Sequence, residues 1–278
     1  MPINPTLFPY TLFQKSKTLL WDPQAIDLTQ DKLDWARMSD HEREIILQLS
    51  TMFLGGEEAV THDLAPMLVA VRRSGVHLED EMFLTAQLFE ESKHVEWFDR
   101  WFGEVVGAPA NVTAMGAAYE QLFMQALPQS LNRLLTDSSG EALTEALVTY
   151  HLIIEGVLAE TGYHAYVLCF KRNQIMPGTV RGVELVQRDE ARHIAYGLHA
   201  LSALIHKTPA LWDVAQAKLN ELLPLVFEII GETFAPFLEH AEGVPFGLDP
   251  NDFVMYASEQ FDSRMQALER ANRQVKSK

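Results

Sequence analysis

Cysteine is almost absent: Cys169 is the only one in 278 residues. A lone thiol excludes an intramolecular disulfide framework and Cys-rich zinc sites, and it suits a reducing compartment. Basic charge is also scarce. Lys and Arg number 22 against 38 Asp and Glu, a formal net charge of −16. A general nucleic-acid binder needs a basic footprint, so that class is excluded. The longest stretch free of Asp, Glu, Lys and Arg runs from Val105 to Tyr119, 15 residues broken by Gly107 and Pro109; another, Met1 to Gln14, contains Pro2, Pro5 and Pro9. A transmembrane segment needs roughly 18 apolar residues, so none is expected. The N-terminus lacks the basic start and apolar run of a secretory signal. No run of alternating β-branched residues, glycine-rich phosphate loop or low-complexity tract is present. What is there is 47% hydrophobic residues, ample for a core. The reading is an acidic globular protein of the cytoplasm.

The periodicity predicts an all-α chain. Residues 1–39 read as an irregular segment packing on the rest, with Pro2, Pro5, Pro9 and Pro23 and the aromatics Phe8, Tyr10, Phe13 and Trp21. Ser39-Asp40-His41-Glu42 then resembles a helix start. Helices are expected at about 40–74, 78–106, 112–136, 139–172, 178–206, 208–240 and 249–275. Turn and capping clusters separate them: Ser74-Gly75, Gly107-Ala108-Pro109, Asp137-Ser138-Ser139-Gly140, Pro177-Gly178 and Gly247-Leu248-Asp249-Pro250. Long helices without a composition shift predict a single domain, 1–278, built as an extended helical bundle.

Carboxylates stand where such helices should be apolar. Ile45 to Gly56 is uncharged, and Glu57 follows. From Ala146 to Ala159, Glu155 is the only charge. An unpaired buried carboxylate is costly and protonates or finds a cation. Each alone is also explained by a helix face turned to water. Two further helices carry Glu91-Ser92-Lys93-His94 and Glu190-Ala191-Arg192-His193. In both, Glu and His stand three residues apart on one helix face. One Glu-x-x-His is a weak signal; the spacing is the specific one. Glu57 precedes Glu91 by 34 residues and Glu155 precedes Glu190 by 35. The chain therefore doubles one unit: a helix with a lone Glu, a turn, and a helix with Glu-x-x-His. Packed face to face, two units project four carboxylates and two imidazoles into one core, the known ligand set of di-iron and di-manganese carboxylate bundles. Four carboxylates balance two divalent cations, and oxygen and nitrogen donors suit iron or manganese. Asp189 and Glu90 directly precede the motifs and are expected to hold the outer nitrogens of the two imidazoles. His151 lies four residues before Glu155 and so shares its face, either as an extra polar group near the site or, more simply, as a surface or core histidine.

These segments resemble the ribonucleotide reductase small-subunit family, and within it the small-subunit-like ligand-binding oxidases. The resemblance covers about residues 20–265. It rests on Gly56-Glu57-Glu58-Ala59-Val60-Thr61, Glu91-Ser92-Lys93-His94-Val95-Glu96, Tyr150-His151-Leu152-Ile153-Ile154-Glu155-Gly156 and Asp189-Glu190-Ala191-Arg192-His193-Ile194. It implies a ferritin-like bundle with extra helices and one manganese and one iron ion per chain. Manganese is expected at Glu57, Glu91 and His94, and iron at Glu155, Glu190 and His193. Two iron ions would use the same ligands. It further implies dioxygen as oxidant, a long-chain fatty acid or similar lipid-like ligand at the metals, a homodimer, and an ether cross-link between Val60 and Tyr150. Spacing agrees with Val60, which follows Glu57 by three residues and so shares its helix face. It does not select Tyr150, which lies about 140° from Glu155 on an ideal α-helix.

Three functions are therefore in competition. The first is a dioxygen-activating oxidase performing two-electron C–H oxidation. The second is a radical-generating reductase subunit. Against it, Phe98 occupies the position, four residues past the first motif His, where such subunits typically place a radical tyrosine, and the end Gln274-Val275-Lys276-Ser277-Lys278 has no tyrosine. The third is a non-enzymatic metal or lipid carrier. His151 departs from the oxidase pattern, in which a neutral polar residue is expected.

Overall fold

The computed structural model describes residues 2–75, 77–111 and 115–276, side chains of 271–276 excepted, and the described residues contain no strand. They form α1 (Phe8–Thr18), α2 (Thr29–Arg37), α3 (Asp40–Asp63), α4 (Ala65–Arg73), α5 (Leu78–Trp101), α6 (Ala117–Glu120), α7 (Leu127–Arg133), α8 (Gly140–Leu147), α9 (Glu160–Tyr166), α10 (Pro177–Lys207), α11 (Leu211–Leu238) and α12 (Pro250–Lys276). π-helical segments continue several of them: Phe102–Val106 after α5, Gln121–Ala126 between α6 and α7, Val148–Ala159 between α8 and α9, and Val167–Lys171 after α9.

Local chemistry sets these boundaries. Ser39 and Glu42 form a reciprocal capping box at the start of α3. Pro66 breaks the helix expected at 40–74 into α3 and α4, because it has no N–H for the preceding turn and fits only a first turn. Gly107, at φ 76°, closes the segment after α5. The expected start at 112 lies outside the described residues, as do Ser277 and Lys278 at the C-terminal end.

The expectation of an irregular segment over 1–39 is corrected: α1 and α2 lie within it. Pro9 occupies an early position of α1, where its missing N–H costs nothing. α1 packs on α5, and α2 is tied to α10 by Asp31. The Asp31 carboxylate accepts from Gly178 N–H at 2.8 Å and Thr179 N–H at 2.6 Å, capping α10 from another helix.

α3, α5, the continuous helix Gly140–Lys171 and α10 make the central bundle, with α11 and α12 packed on the π-helical stretch. Gly140–Lys171 is long and apolar enough to cross a membrane, but 83% of its apolar window is buried inside the protein. Gly182 brings α10 close to α5: a Cβ there would lie 2.1 Å from the Trp97 ring.

Candidate metal centre

Each central helix delivers its carboxylate inward. Glu57 comes from α3, Glu91 and His94 from α5, Glu155 from the π-helical stretch, and Glu190 and His193 from α10. All six are buried. Their donor atoms form two groups of four, Glu57–Glu91–His94–Glu190 and Glu91–Glu155–Glu190–His193, each within 4.8 Å. Glu91 and Glu190 belong to both groups, as two carboxylates shared between two cations would.

The imidazoles point Nδ1 inward. His94 Nδ1 lies 3.5 Å from Glu57, 3.6 Å from Glu91 and 3.2 Å from Glu190. His193 Nδ1 lies 2.9 Å from Glu91, 3.4 Å from Glu155 and 3.6 Å from Glu190. These are separations between donors around a cation at about 2.1 Å from each. His94 Nδ1, His193 Nδ1, Glu155 Oε2 and Glu190 Oε2 are buried and have no hydrogen-bond partner. A polar atom left so is costly, and a cation between the groups satisfies all four, so the donor set fits two metal ions.

The outer nitrogens are paired crosswise. His94 Nε2 lies 3.4 Å from Asp189 Oδ2, and His193 Nε2 lies 2.9 Å from Glu90 Oε2. Each acid thus serves the imidazole on the opposite helix. Three groups that sequence reasoning missed complete this layer. Lys93 Nζ lies 2.6 Å from Asp189, Arg192 bridges Glu90 at 2.5 Å and Asp189 at 2.7 Å, and Trp21 Nε1–H donates to Asp189 at 2.7 Å. A signal existed for two of them: a basic residue immediately precedes each motif histidine. With Asp189 and Glu90 the site holds six buried carboxylates against two buried cations. Two divalent metal ions would cancel the four negative charges that remain.

The protonation pattern shows what the site does without metal. Burial pushes the Glu57 carboxyl up to about 8 against the pull of His94. Burial and the charge of Glu190 push Glu155 up. Burial also opposes ionisation of Glu91, but His193 and His94 hold it well below the usual carboxylate range. Both imidazoles are raised, burial notwithstanding, by Glu57 and Asp189 at His94 and by Glu91 and Glu190 at His193. Protons therefore occupy the positions that metal ions would take.

Tyr150 and Val60 both reach this centre. The Tyr150 hydroxyl donates to Glu91 Oε1 at 2.6 Å and accepts from Gln87 Nε2 at 2.9 Å. In a π-helix the hydrogen bond runs from i to i+5, so residues five apart stand nearly above one another. That is why Tyr150 shares a face with Glu155, which α-helical geometry had denied it. Val60, one turn after Glu57, lines a pocket with Glu57, Glu91, Glu155 and Glu190. The rest of the pocket wall is mostly apolar, including Ile45, Leu49, Phe53, Ile154 and Phe234, and its empty volume is about 950 Å³, part of it open to solvent. Tyr163 also lines it, with a buried hydroxyl that has no hydrogen-bond partner. Phe98 is buried and stacked on Phe53, with ring centres 5.3 Å apart. His151, read from sequence as a surface or core histidine, is fully buried beside Gln87.

A family model described as ribonucleotide reductase, small chain, matches residues 8–270. Solved structures of similar fold include an R2-like ligand-binding oxidase with aerobically reconstituted Mn/Fe cofactor. It is 32% identical, with a TM-score of 0.89 over 95% of this chain and 94% of the other. Another, an R2-like ligand-binding oxidase after photoconversion of its reconstituted metal cofactor, has a TM-score of 0.90 at 31% identity over 95% and 94%. A substitution variant with the Mn/Fe cofactor has a TM-score of 0.90 at 31% identity, over 95% of each chain.

Proposed function

The chain belongs to the ribonucleotide reductase small-chain family and, within it, to the R2-like ligand-binding oxidases with their ferritin-like fold, and from that premise we propose a manganese/iron oxidase that joins Val60 to Tyr150 beside a bound fatty acid. Glu57, Glu91 and His94 would hold manganese, and Glu155, Glu190 and His193 iron, with Glu91 and Glu190 shared. The observation that carries the reading is convergence on Glu91: Val60 lines the pocket that Glu91 enters, and the Tyr150 hydroxyl donates to Glu91 at 2.6 Å.

The bound pair would supply two of the four electrons that take dioxygen to water, together with the capacity to oxidise an aliphatic C–H bond. The chain's own groups supply the rest. Forming the ether removes one hydrogen from Val60 Cβ and one from the Tyr150 hydroxyl, and yields the other two electrons. Burial and the charges of Glu155 and Glu91 hold the Tyr150 phenol well above its ordinary pKa, so the proton stays on oxygen until oxidation draws it off. Glu91 is the base in contact with that proton. The bundle contributes position, holding both groups without free diffusion.

The apolar pocket would take the hydrocarbon chain of a long-chain fatty acid, its head directed to the metals. The free Tyr163 hydroxyl is a donor for that head. The buried single thiol agrees with a cytoplasmic location, and family likeness suggests a homodimer, checked by sedimentation velocity.

Peptide mass spectrometry tests the central step. Aerated, metal-loaded protein is expected to yield a joined Val60–Tyr150 peptide pair, two hydrogens lighter than the separate peptides. The pair should vanish in Tyr150→Phe and in anaerobic samples. Separate peptides after full loading and aeration contradict the reading. Lipid extraction is expected to release a long-chain acid, and a metal-loaded protein without one refutes the ligand.

A further inference from the structure

One buried titratable group takes no part in the chemistry above. His151 is fully buried in the π-helical stretch. Its Nε2 lies 3.4 Å from Gln87 Oε1 and 3.3 Å from Gln87 Nε2, and its Nδ1 has no partner. Gln87, also fully buried, stands one turn before Glu91 on α5. Its amide nitrogen is 2.9 Å from the Tyr150 oxygen and 3.3 Å from Glu155 Oε1.

Hydrogen-bond capacity settles how these groups face. An amide has two N–H donors. Tyr150 and Glu155 use both, which leaves the Gln87 carbonyl oxygen as an acceptor for a neutral His151 carrying its proton on Nε2. The reverse tautomer would need a third amide proton or leave two lone pairs opposed. The neutral form follows from this geometry, and burial, which pushes the His151 imidazole down to about 3, acts in the same direction. The fold makes room for the ring on purpose: α10 carries Gly197 opposite it, where a Cβ would sit 2.2 Å from His151 Cβ and 2.5 Å from Cγ.

We propose that His151 is a positioning residue that locks the Gln87 amide with its NH2 toward Tyr150 and so directs the phenolic proton to Glu91. A flipped amide would present its carbonyl to the phenol and compete with Glu91 for that proton. His151 prevents the flip because only the carbonyl can accept its Nε2–H. The inference rests on the oxidase reading for its consequence, while its structural content, one tautomer and one amide orientation, stands apart from it.

Two measurements test it. In zinc-loaded protein, long-range 15N NMR of the imidazoles is expected to show His151, identified by its loss in His151→Phe, as the neutral Nε2–H tautomer. An Nδ1–H tautomer or an imidazolium overturns the proposal. In manganese- and iron-loaded protein mixed with dioxygen, His151→Phe and Gln87→Leu are each expected to keep two metals per chain and slow cross-linking by about tenfold to a hundredfold. The double variant should be no slower than the slower single one, because both remove one device. Multiplied effects overturn the proposal. So does an undiminished rate in Gln87→Leu, which leaves the His151 pocket intact should His151→Phe fail to fold. If the wild-type protein forms no cross-link, the oxidase reading fails and the tautomer alone decides.

Discussion

At the scale of single residues, the centre divides its ligands by how many cations they touch. Glu190 belongs to both donor groups and Glu155 to one. Elemental analysis is therefore expected to find about two metals per chain in wild-type protein, loss at the second position in Glu155→Ala, and loss at both in Glu190→Ala. Two tightly held metals in both variants would sink the assignment. Residues with charge and regular spacing were legible in the sequence: Glu57, Glu91, His94, Glu155, Glu190 and His193 repeat at 34 and 35 residues. Trp21, Gln87 and Tyr163 were not, because they reach the site from a distant segment or carry no charge that an apolar helix would betray. Lys93 and Arg192 were visible as a repeated basic residue and were passed over, since long basic side chains usually lie at the surface.

At the scale of elements, helix contacts set the centre's dimensions. α5 and α10 supply both Glu-x-x-His motifs, and Gly182 against Trp97 fixes their approach. Gly182→Val forces an isopropyl group into the indole of Trp97 and is expected to destabilise the protein by about 1–3 kcal/mol. Asp31→Ala removes the cap that ties α2 to α10 and is expected to cost about 1–2 kcal/mol. Urea unfolding with an unchanged slope and a lowered midpoint checks both; unchanged midpoints contradict these packing roles. Most helix positions from α3 onward were readable from periodicity and capping residues, though not the break between α3 and α4 at Pro66. The π-helical stretch at Val148–Ala159 was not. The change from i+4 to i+5 hydrogen bonding leaves no composition signal, yet it turns Tyr150 onto the face of Glu155. α1 was hidden by its proline, which stops a helix in its interior but serves at its start, and α2 by its length of nine residues, too short for a clear period.

At the scale of the whole molecule, a bundle with so many buried acids depends on what neutralises them. In metal-free protein the Glu57 carboxyl rises from 4.5 to about 8. The stability it contributes is fully present below 4.5 and is lost as pH rises to about 8. The raised imidazoles of His94 and His193 act in the same direction, from 6.5 upward. Glu91 and Asp189, depressed by neighbouring cations, lose their contribution only on acidification. Metal ions replace the protons and remove the alkaline loss. The rise in thermal midpoint on metal loading is therefore expected to be larger at pH 8 than at pH 6, read by calorimetry; an equal or smaller rise contradicts it. The central claim is a mixed dinuclear centre, and anomalous diffraction at the manganese and iron edges, from crystals of protein reconstituted in air, tests it most directly. The account predicts manganese between Glu57, Glu91 and His94, and iron between Glu155, Glu190 and His193. A single occupied position, or metal held away from these six residues, would contradict it.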